Sequence, residues 1–517
     1  MTRAANPPLS APAPTQAALT RGETALFHVI ALLGAATFWL APRLPMNDLP
    51  QHVAQVALWR DLILGVSPFS GEVWINLLTP YLIGYGLALP FAFVMDPTEA
   101  LRLVMAASFV GFLAAARALR RDTGGDARLD WLLLFGFFGV AWHWGFYTFL
   151  VAAPLALLTI RAALRHADAP TPRRAAIFFF LGAALLLSHG LQFLFALAMS
   201  GAILLERALG DLRAGGARAA FATIAARLAP YAALCALFVL FMLARRLAIG
   251  ADPSSPIVYG APVWARVLQI VTFPAALDAG PVARLLCLLA WLAPLAMGFR
   301  PRRGPAAAMM LATLAIMLVV PSVALDTAFL YERFAIYLLP FWAMTLRPDR
   351  AAPPRPRAPA RHLDAAVGMI VLHGWRVAAF AREDAEFEPI LAAARPGERV
   401  LAMIFETDGR ALDTRYTYLH WGVWMQARRG AFVDFNFAYF APQVVRFRPG
   451  KTPAVLADRS WEPEAFEWNG WNARIYDAFL TRGRPEQARE ALLARAPVAL
   501  EAAATSGSWT LWRVRGR

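Results

Sequence analysis

Lysine is all but missing from this chain: Lys451 stands alone, so arginine supplies nearly all of the 50 basic residues. Charge as a whole is scarce. Charged residues make up 16% of the 517 positions and hydrophobic residues 59%, against about 25% and about 45–50% in ordinary globular chains. The deficit is concentrated in residues 25–380, where apolar runs reach or approach the roughly 20 residues that a spanning helix needs. That excludes an ordinary water-soluble protein. Cysteine is scarce too. Cys235 and Cys287 both lie inside apolar runs, which argues against a disulfide framework or a zinc site. The chain holds no P-loop, no GxSxG elbow, no HExxH and no CxxC, so the chemistries those motifs carry are not indicated. The polar, Ala/Pro-rich residues 1–24 lack the charged, apolar and small-residue order of a cleaved leader. They read as a disordered cytoplasmic segment, and the run 25–41 as an uncleaved first span.

What is present is arginine in particular places. The formal charge of +15 invites a nucleic-acid reading. The clusters RALRR at 117–121, RR at 173–174, RR at 245–246 and FRPRR at 299–303 sit instead at the ends of apolar runs, the placement of topology-setting charges. No nucleic-acid partner is expected. The apolar runs are 25–41, 74–95, 98–118, 129–164, 175–206, 228–244, 282–299, 305–325, 334–346 and 364–380. A helix over 129–164 would be about 54 Å long, against a hydrocarbon core of about 30 Å. This run and 175–206 are therefore expected to fold back, at Trp142-His143-Trp144-Gly145 and at Ser188-His189-Gly190. About eleven spans result. The loops at 117–128, 165–174, 207–218, 300–303 and 347–361 then fall on the cytoplasmic side. Both histidine turns share the outer face with the loop 42–73. For 117–128 to lie inside, one of the two preceding runs must not cross. Pro80, Gly84, Gly86 and Pro90 single out 74–95.

The expected architecture is a polytopic α-helical membrane domain over 25–346, including the outer loop 42–73, followed by a Pro/Arg-rich linker over 347–363 and a last span over 364–380. The tail 381–517 changes character. Short β-like runs (RVLAMI at 399–404, AFVDF at 431–435, WTLWRV at 509–514) and an amphipathic PEQAREALLARA at 485–496 predict a small extracytoplasmic α/β domain.

Candidate chemistry lies on the outer face. PMNDLPQHVAQVALWRDL at 45–62 reads as a helix on the membrane surface, with Asp48 and His52 near its start. A carboxylate there can act as a base, pair with His52 on a divalent metal, or simply cap the helix. His143 and His189 stand among apolar neighbours. A polar residue so placed is a functional candidate, although it can equally satisfy the carbonyls of a turn. Asp326, Glu332 and Arg333 precede the helix at 334–346. Arg333 has the geometry to hold a phosphate, and a Glu332–Arg333 pair can equally be an interfacial anchor. The many aromatics of the tail, from Tyr416 and Trp421 to Phe440, suit a core better than a sugar-stacking face.

Taken in order, these segments resemble the GT-C glycosyltransferases, which include the protein O-mannosyltransferases and the aminoarabinose transferases. Asp48-Leu-Pro-Gln-His52 looks like the aspartate loop that follows their first span, where an aromatic residue commonly stands four positions on. GAALLLSHGLQFLFALAMS at 182–200 is similar to their helix with a Lys-Gly pair, and ERFAIYLLPFWAM at 332–344 to their late Arg-aromatic segment. The resemblance covers about 25–346. It implies a bacterial inner-membrane enzyme that transfers a sugar from a polyprenyl-phosphate donor with inversion. Asp48 would be the base, His52 would orient it or the acceptor, and Arg333 and His189 would hold the donor phosphate. His143 and Glu332 would stand nearby. Membrane lipid and a lipid-linked sugar are the implied partners, and no cofactor is certain. Three departures bear on metal dependence and on activity itself. Leu49 replaces a common second acid, HWGFYTFLVAAP at 143–154 holds no carboxylate, and His189 replaces the lysine. A catalytically inactive relative that binds glycans or partners is the alternative, as is a transporter, although no internal repeat is evident.

The orientation is testable. A reporter active only outside the cytoplasm should be active when fused behind the tail and silent when inserted at 165–174 or 300–303. The reverse pattern would refute the arginine-based assignment.

Overall fold

The structure is a computed structural model that describes the chain except residues 1–18, 216, 251–255, 277–279, 326, 350–358, 412–414, 452–461, 471 and 517. Asp326, most of the Pro/Arg linker and most of the N-terminal segment thus lie outside the described residues. Among those described, six helices are long and apolar enough to cross a membrane: Arg21–Trp39, Pro97–Asp122, Tyr147–Asp168, Gly190–Arg213, Thr223–Ile249 and Leu363–Ala393. Shorter apolar helices at Leu82–Ala92, Val263–Thr272, Pro281–Ala296 and Pro305–Val319 pack among them. Leu32, Leu33, Leu240, Leu285 and Leu292 are each more than half exposed on these helices. An outer surface this apolar suits lipid and not water. The first helix begins where its residues cap it. Thr20 accepts from the Glu23 amide while the Glu23 carboxylate accepts from the Thr20 amide.

Both long runs fold back, by different means. Pro172–Ser188 ends at His189, which is extended (φ −167°, ψ 115°), and Gly190 opens the next helix. The run 129–164 also folds back, at residues 142–145, but its first half is not one long helix. That half is a 3-10 stretch, Ala127–Leu134, and a short helix, Val140–Trp144, leading from Asp130 beside Arg117 and Arg120 to His143 and Trp144 at the far end, from which Tyr147–Asp168 returns as a long helix. The reason is local. Asp130 is buried against Arg117 and Arg120 at 3.0 and 2.9 Å. Gly136 and Gly139 lie so close to other backbone that a Cβ would come within 2.5 and 2.4 Å of the Ile336 and Phe273 carbonyl oxygens. The run 74–95 likewise makes no long helix. It divides into a strand, Val73–Ile75, and short helices Leu82–Gly86 and Leu89–Ala92.

The bundle has two distinct ends. Pro97–Asp122, about 39 Å long, joins them. At its start Asp96 meets Arg428 of the C-terminal domain at 3.3 Å. At its end Asp122 binds Arg161 and Arg165 at 2.7 and 2.6 Å, and Arg347 donates to the Thr123 carbonyl. Arg128 packs over Phe299, and the strand Phe299–Pro301 pairs with Leu346–Pro348. The arginine-bearing turns therefore gather at one end, and the C-terminal domain occupies the other.

That domain is a mixed α/β unit. Its five strands lie in the order Leu500–Ser506, Trp509–Val514, Ala478–Arg482, Arg399–Ile404, Phe432–Asp434. Arg399–Ile404 runs parallel to both of its neighbours, and the last hairpin is antiparallel. The stretch expected as one amphipathic helix is a short helix, Pro485–Ala488, continued by a π-type turn, Arg489–Leu493. Trp421 and Trp424 are fully buried, as expected of a core.

The helix after the first span, Leu49–Leu64, does not lie on the membrane surface. Every residue from Leu49 to Trp59 is buried, because the helix is covered by the bundle and by Val423–Arg429 of the C-terminal domain. The strand Val73–Ile75 pairs with Val445–Phe447, so the 42–73 loop belongs to both units. A buried ion pair secures its entry. Arg43 binds Asp384 at 2.8 Å, with side chains 2% and 1% exposed, and reaches Glu388 at 2.7 Å; Trp421 Nε1 donates to Asp384 at 2.9 Å. Removing one member of such a pair strands the other charge, at about 3–5 kcal/mol. Arg43→Ala should therefore lower the thermal midpoint in detergent by several degrees, while Glu388→Gln at the exposed partner should leave it nearly unchanged. An unaltered midpoint for Arg43→Ala would refute the clamp.

Candidate active site

Asp48 stands at the head of the buried helix but does not cap it. Its backbone is helical (φ −86°, ψ −5°) and its side chain makes no bond to the first-turn amides. Its Oδ1 accepts a hydrogen bond from His420 Nδ1 at 2.9 Å, with both residues buried. Of the roles that the sequence left open for Asp48, the helix cap is thus not the one its side chain takes. The position of Asp48 is set from the histidine turn. The amides of Asn47 and Asp48 donate to the carbonyls of His143 (3.3 Å) and Trp144 (2.9 Å). Gly145 (φ 88°) approaches so closely that a Cβ would lie 2.7 Å from the Asp48 nitrogen, so only glycine fits there. His143 itself donates from Nδ1 to the Gly139 carbonyl at 3.0 Å and packs edge-on against Trp142. It shapes the turn.

His52, one turn along, contacts other groups. Its Nδ1 lies 2.7 Å from the Tyr85 hydroxyl, which in turn donates to Gln443 Oε1 at 2.7 Å. Because the tyrosine proton points to Gln443, the histidine is the donor in this chain. Burial, with smaller effects from the Arg333 and His420 charges, holds the His52 pKa down at about 3, so it is neutral at pH 7. The hydrogen bond to Asp48 comes from His420 and not from His52, for which orienting Asp48 was one of two roles that the sequence left open.

Two further segments complete the cluster. His189 is buried, packed against Tyr81 at 5.0 Å and edge-on to Phe149 at 5.3 Å. Its Nδ1 has no hydrogen-bond partner among the described residues. Arg333 donates through Nε and Nη2 to the carbonyls of Phe329 (3.1 Å) and Ala328 (2.8 Å), and lies 3.5 Å over Phe146. These bonds leave the edge that bears Nη1 uncommitted among the described residues. Arg333 is within electrostatic reach of Asp48, Tyr81, His52 and His189. Glu332 takes the Ser322 hydroxyl in place of an ion pair with Arg333, and burial raises its pKa to about 7. Arg245, half of a pair that reads in sequence as topology-setting, is buried and acts electrostatically on Tyr81. With Arg246, Phe238, Met242 and Leu243 it lines an apolar groove of about 440 Å³.

Asp48, His52, His189 and Arg333 thus converge at the end capped by the C-terminal domain, and His420, Tyr85, Gln443 and Arg245 join them. The tail sequence YTYLHWGVW at 416–424 carries the only hint of His420, a histidine amid aromatics. Nothing in the order of residues pairs it with a carboxylate 372 positions earlier. Among the described residues, no group of three or more His, Cys, Asp or Glu side chains is assembled that can hold a metal ion.

A long-helix bundle with an α/β domain seated on its aspartate loop is a GT-C-like membrane fold. It is similar, over 96% of this chain and 99% of the other, to the crystal structure of ArnT from Cupriavidus metallidurans bound to undecaprenyl phosphate, with a TM-score of 0.54 and 13% identity. No family model and no curated protein sequence matches the chain. At that identity the likeness establishes the fold, in agreement with the resemblance drawn from the aspartate loop and the late arginine segment.

His52 generates a pH prediction. Its folded pKa of about 3 lies below its unfolded value of 6.5. The unfolded state therefore binds more protons between these values, and the stability that His52 contributes above pH 6.5 is lost as pH falls toward 3. Thermal midpoints measured from pH 7 to 4.5 should fall less steeply in His52→Gln than in the unaltered protein. Parallel curves would contradict a buried neutral His52.

Proposed function

We propose that this protein is an integral membrane glycosyltransferase that moves a sugar from a polyprenyl-phosphate-linked donor to a hydroxyl acceptor with inversion. The observation that carries this reading is the buried Asp48–His420 pair in the same cluster as Arg333. Asp48 takes the acceptor proton as the acceptor oxygen bonds to the anomeric carbon. The bond from that carbon to the phosphate oxygen breaks, and the departing phosphate carries the negative charge. His420 orients the carboxylate so that one oxygen remains for the acceptor. Arg333, with two nitrogens committed to backbone carbonyls, is pre-set to receive the phosphate, and Arg245 and His189 add to the same field. In a buried, low-dielectric site such fixed charges act strongly on the developing phosphate. Inversion follows if acceptor and phosphate lie on opposite faces of the sugar carbon, as a base at Asp48 and cations at Arg333 and Arg245 would require. ArnT, the similar solved structure, was crystallised with undecaprenyl phosphate, which supports a lipid phosphate as the donor carrier. In this reading the site opens on the extracytoplasmic side, opposite the arginine-rich end.

The test is transfer of labelled sugar from undecaprenyl-phosphate-linked donors to total membrane lipid in proteoliposomes of the full chain. Asp48→Asn should lower kcat by about 10²–10⁴-fold. His420→Gln should lower it less and shift the pH profile, and Arg333→Lys should raise the KM for the donor. Full activity in Asp48→Asn would refute the mechanism. Absence of turnover in the unaltered protein, with glycan binding retained, would favour the inactive alternative.

A further inference from the structure

The arginine-rich end of the bundle, remote from Asp48, carries a second groove of about 440 Å³, lined among others by Trp291, Met310, Leu314, Trp342, Arg302 and Arg303. Its wall offers no free polar group from its largest side chains. The Trp291 and Trp342 indoles donate to the carbonyls of Val271 (3.3 Å) and Trp291 (3.2 Å), and the Thr345 hydroxyl donates to Phe341 at 2.8 Å. The rim is the opposite. Arg302 and Arg303 are exposed, and neither guanidinium has a hydrogen bond or a carboxylate partner among the described residues. The backbone beneath them is held, since the Arg302 amide donates to the Thr345 carbonyl at 3.1 Å.

A saturated apolar wall under an unneutralised cationic rim suits an amphiphile with an anionic head. A free anion would gain nothing from the wall, and a neutral lipid nothing from the rim. We propose that this groove binds an anionic phospholipid, its phosphate on Arg302 and Arg303 and an acyl chain along Trp291, Met310 and Trp342. Arginine near a charged leaflet contributes enough electrostatic attraction for a clear headgroup preference. The site has a structural connection to the other end. Trp342 and Thr345 belong to Leu338–Thr345, which continues directly from the 3-10 stretch Glu332–Tyr337 that carries Arg333.

Native mass spectrometry of the detergent-solubilised full chain tests this without any assay of turnover, so its outcome is independent of the proposed transferase activity. The probes are phosphatidylglycerol and phosphatidylcholine with matched acyl chains, and inorganic phosphate as competitor. Phosphatidylglycerol should be retained in preference by about tenfold or more. Arg302→Gln with Arg303→Gln should abolish the preference but keep weak binding of both lipids. Ala307→Trp, which fills the groove, should remove one bound lipid of either kind. A preference that survives the double arginine change would overturn the proposal. So would displacement of the lipid by inorganic phosphate alone, which would show an anion site without a lipid. Should either variant fail to fold, the competition between the three probes on the unaltered protein still decides.

Discussion

A polar helix can be buried only if its side chains find partners, and the helix Leu49–Leu64 finds them in a domain nearly four hundred residues away in sequence. Gln51 donates to the Phe435 carbonyl at 3.0 Å and accepts from the Phe437 amide at 2.9 Å. One turn on, Gln55 does the same with both backbone groups of Val445, at 3.2 and 2.8 Å. Each glutamine thus behaves as a short piece of strand laid against the C-terminal chain. Asn76 extends the pattern to Val444 and Gln443 at 2.7 and 3.0 Å. Without these bonds several amides would be buried unsatisfied, each at a cost of about 1–3 kcal/mol. The C-terminal domain is therefore a required half of the interface that creates the site.

The same constraint shapes the site. Because the helix is covered from both sides, Asp48 is shielded from bulk water, and its histidine partner comes from the covering domain. Backbone strain collects at this junction. Among the described residues, four that are not glycine have positive φ, and three of them are Phe329, Tyr416 and Phe435. Phe329 and Tyr416 pack on Trp144 at 4.1 and 5.8 Å, and Phe435 packs on His420 at 5.1 Å. Left-handed aromatic residues are costly, and here their rings stand against the turn that seats Asp48 and the histidine that orients it. Phe329 also gives its carbonyl to Arg333. The strained positions and the polar cluster are one assembly.

The membrane supplies the second organising constraint. The arginines at 117–128, 161–174, 300–303 and 347 meet at one end of the bundle, and most are satisfied there by carbonyls or by Asp122, Asp126 and Asp130. Arg333 and Arg245, like Arg43 and Arg102, are buried away from that end. Arg43 and Arg102 pair with Asp384 and Glu99, whereas Arg333 is held by backbone carbonyls, which gives it weight as a candidate for phosphate recognition.

Composition and periodicity determined much about this protein: a multi-helix membrane domain, a break at His189, an early segment that does not cross, strands at 399–404, 431–435 and 509–514, and Asp48, His189 and Arg333 as residues worth following. These are local properties. Hydrophobic run length, proline placement and alternation act within about 20 residues, so they can be read in order. Only the tertiary structure decided the rest. The first half of the run 129–164 is a 3-10 stretch and a short helix, not one long helix, because Asp130, Gly136 and Gly139 answer to distant neighbours. The surface helix is an interior helix because a remote domain covers it. Asp48 is held by His420 while His52 turns to Tyr85, and Arg245 belongs to the site although it sits beside Arg246 like a topology signal. Each of these depends on pairing across long sequence separations, where hydrogen-bond satisfaction and close backbone approach, and not the character of the neighbouring residues, select the partner.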